Sequence, residues 1–234
     1  MVLIYFREYI VYMPIEYIKS LSDGSSLALW RIEENERQLL DHLKLSSREF
    51  DELQCIRSEE GRVRSLAGRK ALNSLFKEDV SECMKDEHGK PFVLGYEGYV
   101  SLSHSFDFAI AMTHPEFPVG VDIEIVQPKI RRIQGKFLRD SEIDFIDRQH
   151  DIQMLYACWC AKEAVFKWQG KKGISLKQNI EIQPFELEEK GHLEARLSYP
   201  GFDQVLKVAY ENLGTYFLAY VCHPVTIRQN IYAK

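Results

Sequence analysis

Two stretches of this 234-residue chain repeat one another at a constant offset of 93 residues. Ala28, Trp30 and Ile32 fall on Val121, Ile123 and Ile125; Glu49, Phe50, Asp51 and Leu53 fall on Glu142, Ile143, Asp144 and Ile146; Arg69 and Ala71 fall on Lys162 and Ala164. Each copy reads as a strand, a short helix and a long helix. A true repeat makes the chain a fused pseudo-dimer whose natural site is the seam between its halves. Periodicity common to amphipathic elements is the other source of such matches. The copies are not chemically equal. Where the second has Asp122, Glu124 and Glu163, the first has Leu29, Arg31 and Lys70, so one half would supply carboxylates and the other cations.

The elements around these matches follow from pattern. Leu27 to Ile32 is strand-like, and Ser46 to Glu49 has the form of a capping box opening a short helix through Leu53. Residues 58–76 read as a longer helix with Val63, Leu66, Ala67, Ala71 and Leu75 inward, and Arg62, Arg69 and Asn73 on its polar face. A turn at 88–91 (HGKP) precedes strands at 99–105, 108–114 and 119–126. Helices are expected at 140–147 and 151–168, then alternating strands from Asn179 with turns at Lys190-Gly191 and Pro200-Gly201. The net charge of −5 gives no global attraction for nucleic acid. Five cysteines without a C-x-x-C pair argue against a disulfide framework or structural zinc and fit a reducing cytoplasm. The N-terminal apolar stretch is broken by Arg7, Glu8 and Glu16, too short for a membrane span, and reads as strand and core.

Three places carry chemistry. In Val119 to Val126 the odd positions are apolar, so Asp122 and Glu124 share the opposite face about 7 Å apart. Two carboxylates that close repel unless a cation lies beside them, and a hard divalent ion answers that need; a solvated outer strand face is the alternative. The helix Met154 to Trp168 is apolar almost all round, hence buried on both sides, yet carries Glu163 and Lys167 one turn apart. Buried, they need partners, such as a metal for one and a phosphate for the other; a structural ion pair is the alternative. Lys90 sits in a Gly-Lys-Pro turn, and His104 stands between two serines at the end of a strand. No Walker A loop, G-x-G-x-x-G or G-x-S-x-G is present.

Gly120-Val121-Asp122-Ile123-Glu124, followed about forty residues on by Trp159-Cys160-Ala161-Lys162-Glu163-Ala164-Val165-Phe166-Lys167, resembles the paired signature of 4′-phosphopantetheinyl transferases, and is similar to their longer, monomeric Sfp-type members. Gly68 to Leu72, His88 to Pro91, Ser101 to Ser105, and Phe137-Leu138 with Glu142 also match, in the family's order. The resemblance implies an α+β fold of two similar halves, each a small, mostly antiparallel sheet packed with a long helix and related by pseudo-two-fold symmetry. The halves would be 1–113 and 114–234, with the active site at the seam. It implies transfer of 4′-phosphopantetheine from coenzyme A to a serine of an apo carrier protein, releasing adenosine 3′,5′-bisphosphate. Asp122, Glu124 and Glu163 would hold Mg²⁺, Glu163 would help deprotonate the serine, and Lys167 would steady the phosphates. Arg69, Lys90, His104 and nearby Ser103 would bind coenzyme A, and Lys162 joins that set with a less defined part. The C-terminal strands carry no matching motif.

Two other readings compete: a Mg²⁺-dependent pyrophosphate hydrolase, and a non-catalytic module binding coenzyme A or a carrier. A cytoplasmic monomer whose partner is an acidic carrier protein is the expected setting, with neither nucleic acid nor membrane as partner. Residues 127–139 hold Lys129, Arg131, Arg132, Lys136 and Arg139 without an acidic side chain, and leave the Asp122 strand directly. They are the candidate docking rim, with Ile130 and Ile133 as an apolar anchor if the segment is helical.

Overall fold

The computed structural model describes residues 15–225; the expectation of strand and core for the first residues lies outside them. The element order is β1 (Ile15–Ser20), β2 (Ser26–Arg31), α1 (Glu36–Asp41), α2 (Ser47–Gln54), α3 (Glu59–Asn73), β3 (Cys83–Lys85), β4 (Pro91–Val93), β5 (Tyr99–Ser105), β6 (Phe108–His114) and β7 (Val119–Ile125). A 3₁₀ turn at Pro128–Arg132 leads to α4 (Gln134–Phe137), α5 (Asp140–Ile143), α6 (Asp151–Gln169), α7 (Leu176–Asn179), β8 (Ile180–Ile182), β9 (Lys190–Tyr199), β10 (Phe202–Asn212) and β11 (Tyr216–Cys222).

The result is the expected α+β fold. One antiparallel sheet runs β1-β2-β6-β5 and carries α3; the other runs β7-β11-β10-β9-β8 and carries α6. Alternation along the strands dictates the layers. Trp30, Ala109 and Ala111 face the helix side of the first sheet with Leu66, Ala67, Ala71 and Leu72 of α3. Leu27, Leu29, Ile110 and Met112 point the other way and meet Val119, Val121, Ile123 and Leu218 of the second sheet. Two sheet-and-helix halves thus share one apolar layer, in a pseudo-two-fold arrangement.

The helix register of the 93-residue repeat has a structural counterpart. Glu49 and Glu142 each close a capping box, and each then pairs with a buried cation of the long helix: Arg69 Nε at 2.9 Å and Lys162 Nζ at 2.7 Å. The strand register does not hold. Trp30 packs under its helix, whereas Val121 and Ile123 turn away from theirs into the shared layer. With a period of two, a slip of one residue exchanges the faces of a strand, so aligned apolar residues lay on opposite sides.

Other expectations are corrected. The 140–147 helix ends at Ile143, after one turn. Lys190-Gly191 is no turn but the start of β9, where Gly191 makes room for the Tyr210 phenol; a Cβ there would lie 2.6 Å from its oxygen. Pro200-Gly201 is a turn, with Gly201 at φ +83°. Arg62 and Arg69 do not share an exposed polar face: Arg62 Nε bonds Glu36 at 2.8 Å, while Arg69 is buried. Ile130 offers no anchor, because it is inward in the core beneath α6.

Candidate active site

Gly120 sets the geometry. Helix α6 lies on β7 so closely that a Cβ on Gly120 would stand 1.9 Å from the Ala164 carbonyl oxygen and 2.6 Å from the Trp168 nitrogen. Only a residue without a side chain allows that approach. It brings the inner face of β7, with Asp122 and Glu124, against Glu163 and Lys167 of α6. Lys167 Nζ donates to Asp122 Oδ1 at 2.8 Å and to the Val121 carbonyl at 3.1 Å. Burial, with Asp122 and Glu124 adding negative charge, pushes the Glu163 carboxyl up to about 7, against the opposing pull of Lys167. Burial, with Asp122 beside it, also raises Glu124. These are the marks of carboxylates gathered where water cannot screen them.

The free edge of β7 faces β5 of the other half. Here three serines replace a strand partner. The Oγ atoms of Ser101, Ser103 and Ser105 accept the N–H groups of Val121 (3.1 Å), Ile123 (3.4 Å) and Ile125 (3.1 Å). Ser103 Oγ donates to Asp122 Oδ1 at 2.8 Å, and Ser105 Oγ to Glu124 Oε2 at 2.9 Å.

A cavity of about 510 Å³ opens at this seam, lined by Leu53, Arg69, Leu102 and His104 of the first half and by Glu124 and Lys167 of the second. Desolvation of the ring at the cavity wall, then the charges of Lys167 and Arg64, holds the His104 imidazole below its usual range. A smaller cavity of about 150 Å³ adjoins it, sharing Lys167 and lined also by Lys90 and Phe166. Lys90 Nζ donates to the Trp168 carbonyl at 2.6 Å and stands over the Tyr99 ring at 5.9 Å. That carbonyl is one of the last of α6 with no partner inside the helix. Burial brings the Lys90 amine down to about 8.

The structure therefore gathers Asp122, Glu124, Glu163, Lys167 and Ser103, and places Arg69, Lys90 and His104 around the adjoining cavities. Lys162 lies elsewhere. It has no exposed surface, and its ammonium is held by Glu142 and by the Phe137, Leu176 and Ile180 carbonyls at 2.7–3.1 Å. A group so enclosed presents nothing to a ligand. Arg69 reaches the cavity wall but is tied to Glu49, Asn73 and the Val80 carbonyl. Sequence reasoning missed Gly120 as the device of close approach and the serine edge as the seam. The signals were a glycine inside a strand and serines at period two.

Asp122, Glu124 and Glu163 offer only oxygen donors, the set that suits a hard divalent cation. Asp122 Oδ2 is buried and has no hydrogen-bond partner in the protein. That orphan atom fits a cation. Among the described residues no three such side chains are already drawn together as a formed metal cluster, and the Lys167 ammonium stands on Asp122 instead.

Residues 118–221 match the family model described as the 4′-phosphopantetheinyl transferase superfamily. The 4′-phosphopantetheinyl transferase AcpT of Escherichia coli K12 is 32% identical over 118 residues, 47% of this chain and 58% of the relative. A 4′-phosphopantetheinyl transferase of Bacillus subtilis is 28% identical over 47% of this chain and 50% of its own length. A phosphopantetheinyl transferase of Thraustochytrium is 28% identical over 172 residues, 62% of this chain and 58% of its own. The chain spans about half the length of these curated relatives. Asp122, Glu124, Glu163 and Lys167 all lie within the stretch that is similar to the 4′-phosphopantetheinyl transferase superfamily model.

Proposed function

We propose that this chain transfers 4′-phosphopantetheine from coenzyme A to a serine of an apo carrier protein and releases adenosine 3′,5′-bisphosphate. The observation that carries the reading is the meeting of Asp122, Glu124, Glu163 and Lys167 beside a cavity walled by both halves, onto which Glu124 and Lys167 open. The halves, 1–113 and 114–234, each bring part of the site. Asp122, Glu124 and Glu163 would hold Mg²⁺, which when bound neutralises charge on the pyrophosphate. Phosphoryl transfer needs positioning and charge stabilisation more than a protein nucleophile.

The chain's own groups supply the rest. Glu163, held near neutrality by burial and its acidic neighbours, is suited to take the proton of the attacking serine hydroxyl. Lys167 turns its ammonium from Asp122 toward the phosphates as they arrive. Lys90, His104 and Arg69 face the remaining anionic groups of coenzyme A from the cavity walls. Lys162 acts from behind, fixing α6 against α5 and β8. The exposed Lys129, Arg131, Arg132 and Lys136 form the rim that meets an acidic carrier, although Arg131 is engaged by Asp151. Five unpaired cysteines suit a reducing cytoplasm, and no helix among the described residues is long and apolar enough to cross a membrane.

Mass spectrometry of apo carrier proteins incubated with coenzyme A, Mg²⁺ and the protein tests the reading. The expected result is the gain of one phosphopantetheine on the carrier serine. Consumption of coenzyme A with no carrier present would mark a hydrolase, and binding of coenzyme A without transfer a non-catalytic module.

A further inference from the structure

The serine edge of β5 does more than close the seam. On β7 the N–H groups that it receives follow immediately after the carboxylates: Ile123 follows Asp122, and Ile125 follows Glu124. Each hydroxyl takes the N–H of the later residue and gives its own proton to the carboxylate of the earlier one. A hydroxyl has one proton and two lone pairs, so both bonds can be made together, each orienting the other. Ser101 shows the same edge without the second bond, since the residue before Val121 is Gly120 and has no side chain to receive a proton. Ser103 and Ser105 are themselves 8% and 6% exposed, which leaves their rotors little freedom to serve water.

We propose that Ser103 and Ser105 are positioning residues of the site. They belong to one half of the molecule and fix the side-chain conformers of Asp122 and Glu124 in the other, so the acidic set is oriented only when the halves are sealed. The proposal deepens the functional reading above and rests on it. It also gives Ser103 a part different from contact with coenzyme A: its proton is committed to Asp122, and its lone pair to Ile123. Partners that orient metal-ligating carboxylates commonly change metal affinity by about 10- to 100-fold when removed.

The test uses the full chain with Ser105→Ala, Ser105→Thr and Ser103→Ala. Three quantities are measured: exchange of the Ile123 and Ile125 amide protons by NMR, binding of Mn²⁺ to the protein by electron paramagnetic resonance, and kcat and KM for transfer. Ser105→Ala is expected to speed exchange at Ile125, weaken Mn²⁺ binding about 10-fold and lower kcat, with KM for coenzyme A changed less than about 2-fold. Ser105→Thr, which keeps the hydroxyl, should restore exchange protection and Mn²⁺ binding together. Ser103→Ala should act likewise at Ile123. Faster exchange with Mn²⁺ binding and kcat unchanged would overturn the positioning role and leave a seam only. A raised KM for coenzyme A in Ser103→Ala with Mn²⁺ binding unchanged would overturn it in favour of direct ligand contact. A wild-type protein that protects both amides yet neither binds Mn²⁺ nor transfers would instead overturn the functional reading, and the positioning role with it.

Discussion

Replacing Gly120 with alanine puts the whole site under one methyl group. The added Cβ would meet the Ala164 carbonyl oxygen at 1.9 Å and the Trp168 nitrogen at 2.6 Å, against 3.4 Å for an ordinary contact. Both atoms are helix backbone, so no rotamer change relieves the clash, and α6 must lift from β7 by about 1.5 Å. Overpacking of this kind costs about 1–3 kcal/mol, and a rigid obstacle places it at the upper end. For a chain of this size each kcal/mol lowers Tm by about 2–4 °C, so the expected fall is about 6–12 °C. Activity should suffer more. The lift separates Glu163 and Lys167 from Asp122 and Glu124, and a misplacement of about 1 Å costs about 100-fold in rate. Gly68→Ala is the control for stability: its Cβ would meet only Leu102 Cδ2 at 3.8 Å, and in mid-helix the change should stabilise by up to about 1 kcal/mol. Thermal melts and kcat/KM on both variants decide the matter. A Gly120→Ala protein with wild-type Tm and rate would refute the claim that close approach of α6 to β7 builds the site.

Other expectations follow from the same contacts. Lys162→Met leaves the Glu142 carboxylate buried without its counter-charge, still bonded to the Arg139 and Ile182 N–H groups, and should cost about 3–5 kcal/mol in chemical denaturation, largely recovered by adding Glu142→Gln. Lys90, brought down to about 8 by burial, releases its proton in the folded protein before it does so in the unfolded chain. Stability should therefore rise with pH between about 8 and 10.5 by up to about 1.4 kcal/mol per unit, and the Lys90→Met variant should lack that part of the slope in denaturant melts across the window. Asp122→Ala and Glu163→Ala should each abolish transfer with the fold intact by circular dichroism; full activity in either would remove the acidic set from the reaction. Reversal of Arg131 and Arg132 to Glu should raise KM for the carrier, more at low salt than at high, and leave KM for coenzyme A unchanged.

Period decided how much could be read from the chain alone. The alternation in Val119 to Val126 placed Asp122 and Glu124 together on one face, and the absence of a polar face on Met154 to Trp168 announced a helix covered on both sides. Both follow from local pattern. What the pattern could not give is the partner on each face. Arg69 and Lys162 sit on helices whose sequence reads as polar at those positions, and only the tertiary fold brings Glu49 and Glu142 to meet them. Ile130 looked like an exposed anchor between basic residues, yet the 3₁₀ turn rotates it beneath α6. The Gly191 turn failed for a similar reason: the glycine is demanded by the Tyr210 ring on the neighbouring strand, not by its own backbone.

The two halves share one buried ion pair each and differ in the residue that follows it. In both halves a capping-box glutamate grips a buried cation of the long helix, which fixes the rotation of that helix about its axis. The next residue on each helix then points the same way in its own half. In the first half it is Lys70, whose ammonium stands 5.6 Å from the Trp30 ring centroid; in the second it is Glu163, beside Asp122 and Glu124. A cation over an aromatic face is satisfied within its own half and asks nothing of the other. Three crowded carboxylates are not, since burial raises the cost of each charge that the others add. They draw on Lys167 and on the serine edge of the opposite half, and Asp122 Oδ2 remains unpartnered after both. The scaffold common to the two halves is thus the pair of buried ion pairs, and the difference between them, one residue further along each helix, is what gathers an acidic set beside a cavity on which Glu124 opens.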